Sequence, residues 1–344
     1  MEQFQTCVQL TTNVRAAGIS PEQVEFRTFQ MNCLRPCKPT TRWYNYMKQF
    51  ELQPSEAARW KRGFGIFASN ERREAHNTAL LALTSRELRV PIATINAEHP
   101  YGGRAAITAN AKKAQGLLPT LHVCVGSRVS LNWNGWVSRG AVNGLHGIVV
   151  ETVYEPSKAP PQLPLVVFVA CPTYRGPSYD DECAFEPADW HAAILGFAGL
   201  RAGQPGVIAV QPIGREFKAG KGNKTACLRV QLPLELAWGI TIHKSQSKTF
   251  GEAQPVEEAL LDFGGTEIDL GLSYVGVSRF MGPGAVRISP FPGQERFSRI
   301  GASRPSDKKY KALQQRSQEA KRLRRMWASR RRRSTLPSGS SVCA

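Results

Sequence analysis

Apolar positions along this chain fall into two textures. In the first, helical spacing alternates with short apolar runs. "SPEQVEFRTFQMNCLRP" (20–36) puts Phe26, Phe29 and Cys33 on one helical face, with Ser20 as N-cap, Pro21 in the first turn and Gln23 completing a capping box. Pro36 and Pro39 end that helix. "NERREAHNTALLALTSREL" (70–88) predicts a second helix, capped by Asn70 with Glu71 in its first turn. Runs at 63–69 and 90–97 predict strands, as does the start of 7–18, which turns at Gly18. From about Gly126 the second texture takes over. "GSRVSLN", "GLHGIVVETV", "LPLVVFVA", "GVIAVQPI" and "TACLRVQ" are short β-rich runs separated by Gly, Pro and charged turns, the pattern of a small antiparallel barrel. Alternation then returns, with an apolar run at 236–242, a strand at 260–265, a helix at 269–280 and a strand at 285–289. The pattern predicts an α/β domain made of 1–125 and 230–298, interrupted by a β insertion at 126–229 and followed by a tail at 299–344. In that tail Leu313, Ala320, Leu323 and Trp327 form a helical stripe too thin to fold without a partner.

Composition narrows the setting. An apolar content of 42% is that of a folding chain, and no apolar run approaches the roughly 20 residues of a membrane helix. The start "MEQFQTCVQL" lacks the basic-then-apolar plan of a signal peptide, which predicts a nuclear or cytosolic setting. The eight cysteines are scattered without a CxxC, so they read as reduced, mostly buried thiols rather than metal ligands. The net charge of +18 is uneven: residues 301–344 carry 13 basic and 2 acidic side chains, ending in "SRRRRS". Such a run attracts polyanions in a salt-dependent way, or is a nuclear-localisation run, or is a solvated tail.

The run at 236–242 is followed by His243-Lys244-Ser245-Gln246, with no carboxylate among them. In open α/β sheets ligands bind beyond the carboxyl ends of strands. Two basic groups, a hydroxyl and an amide there suit a phosphate backbone better than hydrolysis, though a solvated loop after a core strand is an equal reading. In "YVGVSRF" (274–280), Arg279 ends a short apolar helix, and Arg15 in "TTNVRAAG" follows the first strand. An arginine so placed either meets the helix dipole and water or reaches across a cleft to a terminal phosphate.

These segments resemble a family. "LPLELAWGITIHKSQSKTF" followed by "YVGVSRF" resembles motifs V and VI of the PIF-type (petite integration frequency) ATP-dependent DNA helicases of superfamily one, motifs shared with Helitron-encoded helicases. "LTTNVRAAGISPEQVEFRTFQMNCLR" resembles the family's motif IV segment, and "SNERREAHN" its paired-asparagine element. "GSRVSLNWN" with "RGAVNGLHGIVV", "PFPGQERFSRIG" and "LQQRSQEAKRLRRM" resemble further elements in the same order. The resemblance implies a second RecA-like, P-loop-NTPase-like motor domain with a small β-barrel inserted in it. It implies that Thr241, His243, Ser245 and Gln246, with Lys244 beside them, touch single-stranded DNA. It implies that Arg279 and Arg15 approach the γ-phosphate of ATP, bound with Mg2+, and that Asn143 and Gly144 shape the turn entering the barrel.

No G-x-x-x-x-G-K-[ST] occurs in the chain. "GREFKAGKGNKT" (214–225) has the wrong spacing and reads as a basic turn, and neither "YDDECAF" nor "LLDFGG" serves as the acidic strand end that holds magnesium. The expectation is a motor half that grips DNA and lends arginines, with nucleotide and metal held mainly by an N-terminal half or by a partner in trans. The alternative is a non-enzymatic nucleic-acid-binding protein derived from a helicase. Three residues depart from the family pattern: Ser247 in place of glycine, Ala16 in place of glutamine, and Gly276 in place of alanine.

Overall fold

The computed structural model describes residues 15–34, 41–60, 63–174, 176–177, 206–252, 254, 256–267, 269, 271–298, 315, 318–319 and 322. In chain order the first elements are α1 (Pro21–Leu34), α2 (Thr41–Lys48), α3 (Ala57–Trp60), β1 (Phe64–Phe67), α4 (Asn70–Leu88), β2 (Ala93–Asn96) and α5 (Gly103–Thr108). Then come β3 (Thr120–Val123), β4 (Arg128–Leu131), β5 (His146–Val153), β6 (Val166–Cys171), β7 (Gly206–Val210), β8 (Ile213–Ala219) and β9 (Thr225–Gln231). The chain continues with β10 (Leu234–Leu236), β11 (Gly239–Thr241), β12 (Ala259–Asp262), α6 (Leu272–Val277), β13 (Val286–Ile288) and α7 (Gln294–Ser298).

One sheet is wholly parallel, in the order β11-β1-β12-β13. Alternate residues of β1 face opposite ways. Phe64 and Ile66 join a buried cluster with Phe26 and Phe29 of α1, Met47 of α2, Leu261, Val277 and Ile288. Gly65 and Phe67 face α4, where the Phe67 ring lies 4.9 Å from that of His76. Gly65 pairs with Gly239 in register, and a Cβ on either would come within 2.3 and 2.6 Å of the Phe67 ring. The two glycines let that ring lie flat across both strands. The result is an α/β/α layering in which the first texture of the sequence becomes the parallel-sheet core.

The second texture forms an antiparallel sheet, in the order β10-β4-β5-β6-β7, and two antiparallel pairs, β2-β3 and β8-β9. Ile95 and Leu121 from the β2-β3 pair share one buried cluster with Val129, Val149, Val169 and Leu234 of the sheet. Closure of this sheet into the expected barrel is not seen among the described residues; β10 and β7 are its two edges. The strand expected at 90–97 as part of the first α/β segment is β2, and it pairs with β3 rather than with the parallel sheet. The parallel sheet therefore loses the chain after α4 and regains it at β11. "GREFKAGKGNKT" is the β8-β9 hairpin, as its basic-turn reading required. Buried Arg229 braces this region by donating to the carbonyls of Ala106 (2.7 Å), Ala109 (2.7 Å) and Leu117 (2.9 Å).

The run at 236–242 is not one strand. β10 pairs antiparallel with β4, whereas β11 pairs parallel with β1, so the chain changes sheets between Leu236 and Gly239. Asn77 of α4 clasps the change: its amide nitrogen donates to Leu236 O (3.1 Å) and Gly239 O (3.2 Å), and its carbonyl accepts from Gly239 N (2.7 Å). The bond from Ala237 N to Arg128 O (2.8 Å) and that from Gly65 N to Trp238 O (2.9 Å) complete the crossing. Asn77 is the second asparagine of "SNERREAHN", and its burial explains why an amide sits on a helix face among leucines.

Local expectations fare unevenly. Ser20 caps α1, its hydroxyl accepting from Gln23 N (3.2 Å), but the Gln23 side chain closes no capping box and donates to Met281 O (2.6 Å) instead. Ser69, not Asn70, caps α4, accepting from Arg72 N (3.3 Å). Cysteines 33, 124, 171 and 227 are buried free thiols, and burial pushes the Cys171 thiol up to about 12. Cysteines 7, 37, 183 and 343, the strand expected at 7–14, "YDDECAF" and most of the tail lie outside the described residues. Among the described residues no helix is long and apolar enough to cross a membrane.

Removing the Asn77 amide strands Gly239 N–H and two carbonyls where water has little access. Asn77→Ala is expected to lower the free energy of unfolding by about 2–4 kcal/mol. Urea unfolding followed by circular dichroism measures it; a loss within error of zero contradicts the clasp.

Candidate nucleic-acid interface

β11 ends at Thr241 and the chain turns at once. The Thr241 hydroxyl accepts from Lys244 N (3.3 Å), the Ser245 hydroxyl donates to Ile242 O (2.6 Å), and Gln246 N donates to His243 O (3.2 Å). Both hydroxyls are buried and hold the turn, so Thr241 and Ser245, two of the five residues that the resemblance placed against DNA, face inward. What the turn presents outward is His243, Lys244, Gln246 and Ser247. His243 Nε2 lies 3.0 Å from a carboxylate oxygen of Asp269, with both side chains more than half exposed. Lys244 pairs with Glu235 of β10, which also faces Arg73 of α4 at 3.5 Å.

Ser247 sits at φ +71°, in the left-handed region that glycine enters freely and serine does not. The serine at this position, where the motif it resembles has glycine, therefore stores backbone strain. Gly276 has a different reason. A Cβ there would come 3.1 Å from Leu261 Cδ1 and 3.3 Å from Ile242 Cδ1, so glycine lets α6 pack tightly against the ends of β12 and β11.

A cleft of about 740 Å3 opens between this turn and the antiparallel sheet. Lys244 and residues 246–250 line one wall; Arg128, Ser130 and residues 142–146 line the other, with Phe64 between them. The buried Arg128 guanidinium lies over the Phe64 ring, 4.9 Å from its centroid, and burial pulls its pKa down to about 10. Lys248 crosses the cleft, donating to Gly144 O (3.1 Å) and to His146 Nε2 (3.0 Å). Gly144 holds φ +88° and Asn143 N donates to Asn134 Oδ1 (2.7 Å), so the turn that these two residues shape is tied directly to the loop after β11. Burial, then Lys248, Arg128 and Lys244, hold His146 well below the ordinary imidazole value. Burial, followed by Arg128 and Lys244, likewise lowers Lys248. Among the described residues, Glu235 is the one carboxylate that lines the cleft with Arg128, Lys244 and Lys248.

The same loop reaches the two arginines. Arg15 donates to Thr249 Oγ1 (3.1 Å) and to Ser278 O (2.8 Å). Arg279 donates to Val275 O (3.0 Å) and Ser278 Oγ (2.9 Å), and Phe250 N donates to Arg279 O (3.0 Å). The structure thus brings Arg15 and Arg279 together, as the sequence suggested. Burial first, and Arg15 second, lower the Arg279 pKa, the mark of two like charges held close in a half-buried place. Neither lines the cleft that holds Lys244 and Gln246. The loop from Thr241 to Phe250 therefore has two cationic sides.

No family model and no curated protein matches the chain. Solved structures do. The Pif1 helicase from Candida albicans aligns with a TM-score of 0.55 at 16% identity, covering 87% of this chain and 60% of that one. The Pif1 helicase from Bacteroides in complex with ADP-AlF3 and ssDNA aligns at 0.56 and 17%, covering 90% and 57%. Bacteroides Pif1 bound to ssDNA aligns at 0.51 and 18%, covering 85% and 53%. The chain therefore has the fold of part of a Pif1 helicase, a RecA-like helicase domain with its parallel sheet, and spans between about half and three-fifths of the length of those structures.

Sequence reasoning missed Lys248, His146, Arg128 and Asp269. Lys248 and His146 are 102 residues apart, and nothing in either local pattern announces the pairing. Arg128 alone carried a signal, as a charge opening a short strand whose other large residues, Val129 and Leu131, are apolar.

Two predictions follow from this geometry. Ser247→Gly is expected to raise stability by about 1 kcal/mol, measured by urea unfolding; no gain means that the loop relaxes around serine. His146, His76 and His99 are all held below the ordinary imidazole value by burial, so each is neutral when folded and takes a proton more readily when unfolded. Their contribution is complete above about pH 6.5 and is lost as pH falls below it, by at most about 1.4 kcal/mol per pH unit for each histidine. His146→Gln is expected to flatten that decline; an unchanged slope places the acid sensitivity elsewhere.

Proposed function

We propose that this chain is the second motor half of a PIF-type ATP-dependent DNA helicase, gripping single-stranded DNA on one side of the loop after β11 and offering Arg15 and Arg279 to the γ-phosphate of ATP on the other. The observation that carries this reading is the double use of one loop: residues 244–250 line a cationic cleft, while Thr249 and Phe250 bind the arginine pair. A backbone phosphate suits the cleft, since among the described residues Lys244 and Lys248 line it with Glu235 the one carboxylate. The outward amide of Gln246 and ammonium of Lys244 are the groups that touch the strand. His243, at the same turn, exchanges Asp269 for a phosphate. Thr241 and Ser245 act by holding the turn.

The arginine pair fits a nucleotide. Two guanidinium groups kept close and half-buried are relieved by a polyphosphate between them and a neighbouring domain. When bound, ATP supplies the phosphoryl group whose hydrolysis drives such motors, and Mg2+ neutralises it. This chain's contribution is positive charge toward the γ-phosphoryl group as it passes from ADP to water; binding of the nucleotide and its metal falls mainly to a half bearing the Walker A loop, in cis or in trans. Two of the matched Pif1 helicase structures hold ssDNA, and one of these also holds ADP-AlF3, which supports the same reading.

The experiment separates this reading from binding by the basic tail. Lys244→Ala and Gln246→Ala in the full chain are each expected to weaken binding of a fluorescent oligo-dT about 3- to 10-fold, and Lys244→Ala to lower the slope of log K against log salt by about 1. If deletion of 301–344 abolishes binding and these variants change nothing, the chain is a tail-driven nucleic-acid binder. Steady-state ATPase of the chain alone, with saturating Mg-ATP and oligo-dT, is expected to stay at background; DNA-stimulated turnover contradicts the division of labour.

A further inference from the structure

The segment "NWNGWVSRG" (132–140) belongs to neither cationic side. It forms a turn between β4 and β5, closed on itself by the bonds Gly135 N to Ala141 O (2.9 Å), Trp136 N to Ala141 O (3.0 Å), Ala141 N to Trp136 O (3.1 Å) and Arg139 N to Trp136 O (3.0 Å). Asn134 Oδ1 accepts from Asn143 N (2.7 Å), adding a fifth tie. Gly135 has no Cβ because the Trp133 indole lies over it, 2.2 Å from where that Cβ would stand. Trp133 is thus folded onto the turn, while Trp136 is 46% exposed and its neighbour Val137 is 66% exposed. The Arg139 guanidinium lies 5.8 Å from the Trp136 ring centroid. Gly140, which ends the turn at φ +90°, lines the cleft between the two sheets.

A rigid turn that displays an indole and an arginine to water costs hydration free energy unless something covers the ring. We propose that Trp136, with Arg139, is a stacking platform for an unpaired nucleobase of the strand whose phosphates lie in the neighbouring cleft. The occupant follows from charge and shape. Arg139 brings positive charge to the indole, and the cleft beside it gathers Arg128, Lys244 and Lys248, so the partner is a polyanion with flat aromatic groups spaced along it. A nucleic-acid strand has both. A base inside a duplex keeps its faces covered by its neighbours, so the platform selects unpaired bases, and because every base has a π-face it selects no sequence. The turn's closed hydrogen bonding means that little freedom is lost on binding. This inference rests on the proposed strand-binding cleft and adds to it a discrimination that charge alone does not provide: single strand against duplex.

The test uses the full chain and three fluorescent probes of equal length: oligo-dT, the same oligonucleotide with abasic sites throughout its centre, and a blunt duplex. Trp136→Ala leaves the backbone ties in place. It is expected to weaken oligo-dT binding about 5- to 50-fold with an unchanged salt slope, and to leave abasic and duplex binding unaltered. Trp136→Phe keeps a ring and is expected to restore most of the loss. The platform is overturned if Trp136→Ala binds oligo-dT as the unaltered chain does while Lys244→Ala still weakens it; the cleft reading then stands alone. It is equally overturned if Trp136→Ala weakens all three probes alike, which marks a structural role. If neither Trp136→Ala nor Lys244→Ala changes oligo-dT binding, cleft and platform fall together.

Discussion

Asn77 holds the point at which one stretch of chain leaves an antiparallel sheet and enters a parallel one. Three hydrogen bonds from one buried amide satisfy Leu236 O and both backbone groups of Gly239, in a place where the two ladders cannot satisfy them because each ends there. Everything functional hangs from that crossing. β10 fixes Glu235 beside Lys244, β11 ends in the turn that carries His243, Lys244 and Gln246, and Phe64 of β1 separates the two cleft walls. The residues that join the two sheets lead directly into the loop after β11, so a change in the sheets' relative position is felt there first.

The loop is also where like charges collect. Arg128, Lys248 and Lys244 share one side, Arg15 and Arg279 the other, and burial lowers the pKa of Arg128, Lys248 and Arg279. Burying cations costs hydration free energy that nearby polar groups offset. Among the described residues, Lys248, Arg15 and Arg279 are held by neutral groups: the carbonyl oxygens of Gly144, Ser278 and Val275 and the His146 ring. Lys244 instead pairs with the carboxylate of Glu235.

Much of the first texture was legible in the sequence, because Phe26, Phe29 and Cys33 lie on the buried face that their spacing required and the apolar runs at 63–69, 260–265 and 285–289 are strands of one sheet. The pairing of Arg15 with Arg279 was legible only through motif order, since 264 residues separate them. The change of sheet within 236–239 was not legible at all. An uninterrupted apolar run reads as one strand, and only Asn77, far away in sequence, marks the break. The same limit hid Lys248 and His146, whose meeting depends on the insertion's placement against the loop. Gly276 and Ser247, both departures from the pattern the sequence resembles, differ once packing is known: a side chain at the first would crowd Ile242 and Leu261 by a few tenths of an ångström, and the second is strained at φ +71°.

The central claim is that a single strand lies in the cleft between the two sheets and touches the loop after β11. Photocrosslinking of the full chain to an oligonucleotide carrying 5-iodouracil, followed by mass spectrometry of the crosslinked peptides, tests it most directly. Crosslinks within 128–146 and 236–256 are the predicted result. Crosslinks confined to 301–344, with none in either cleft wall, contradict it.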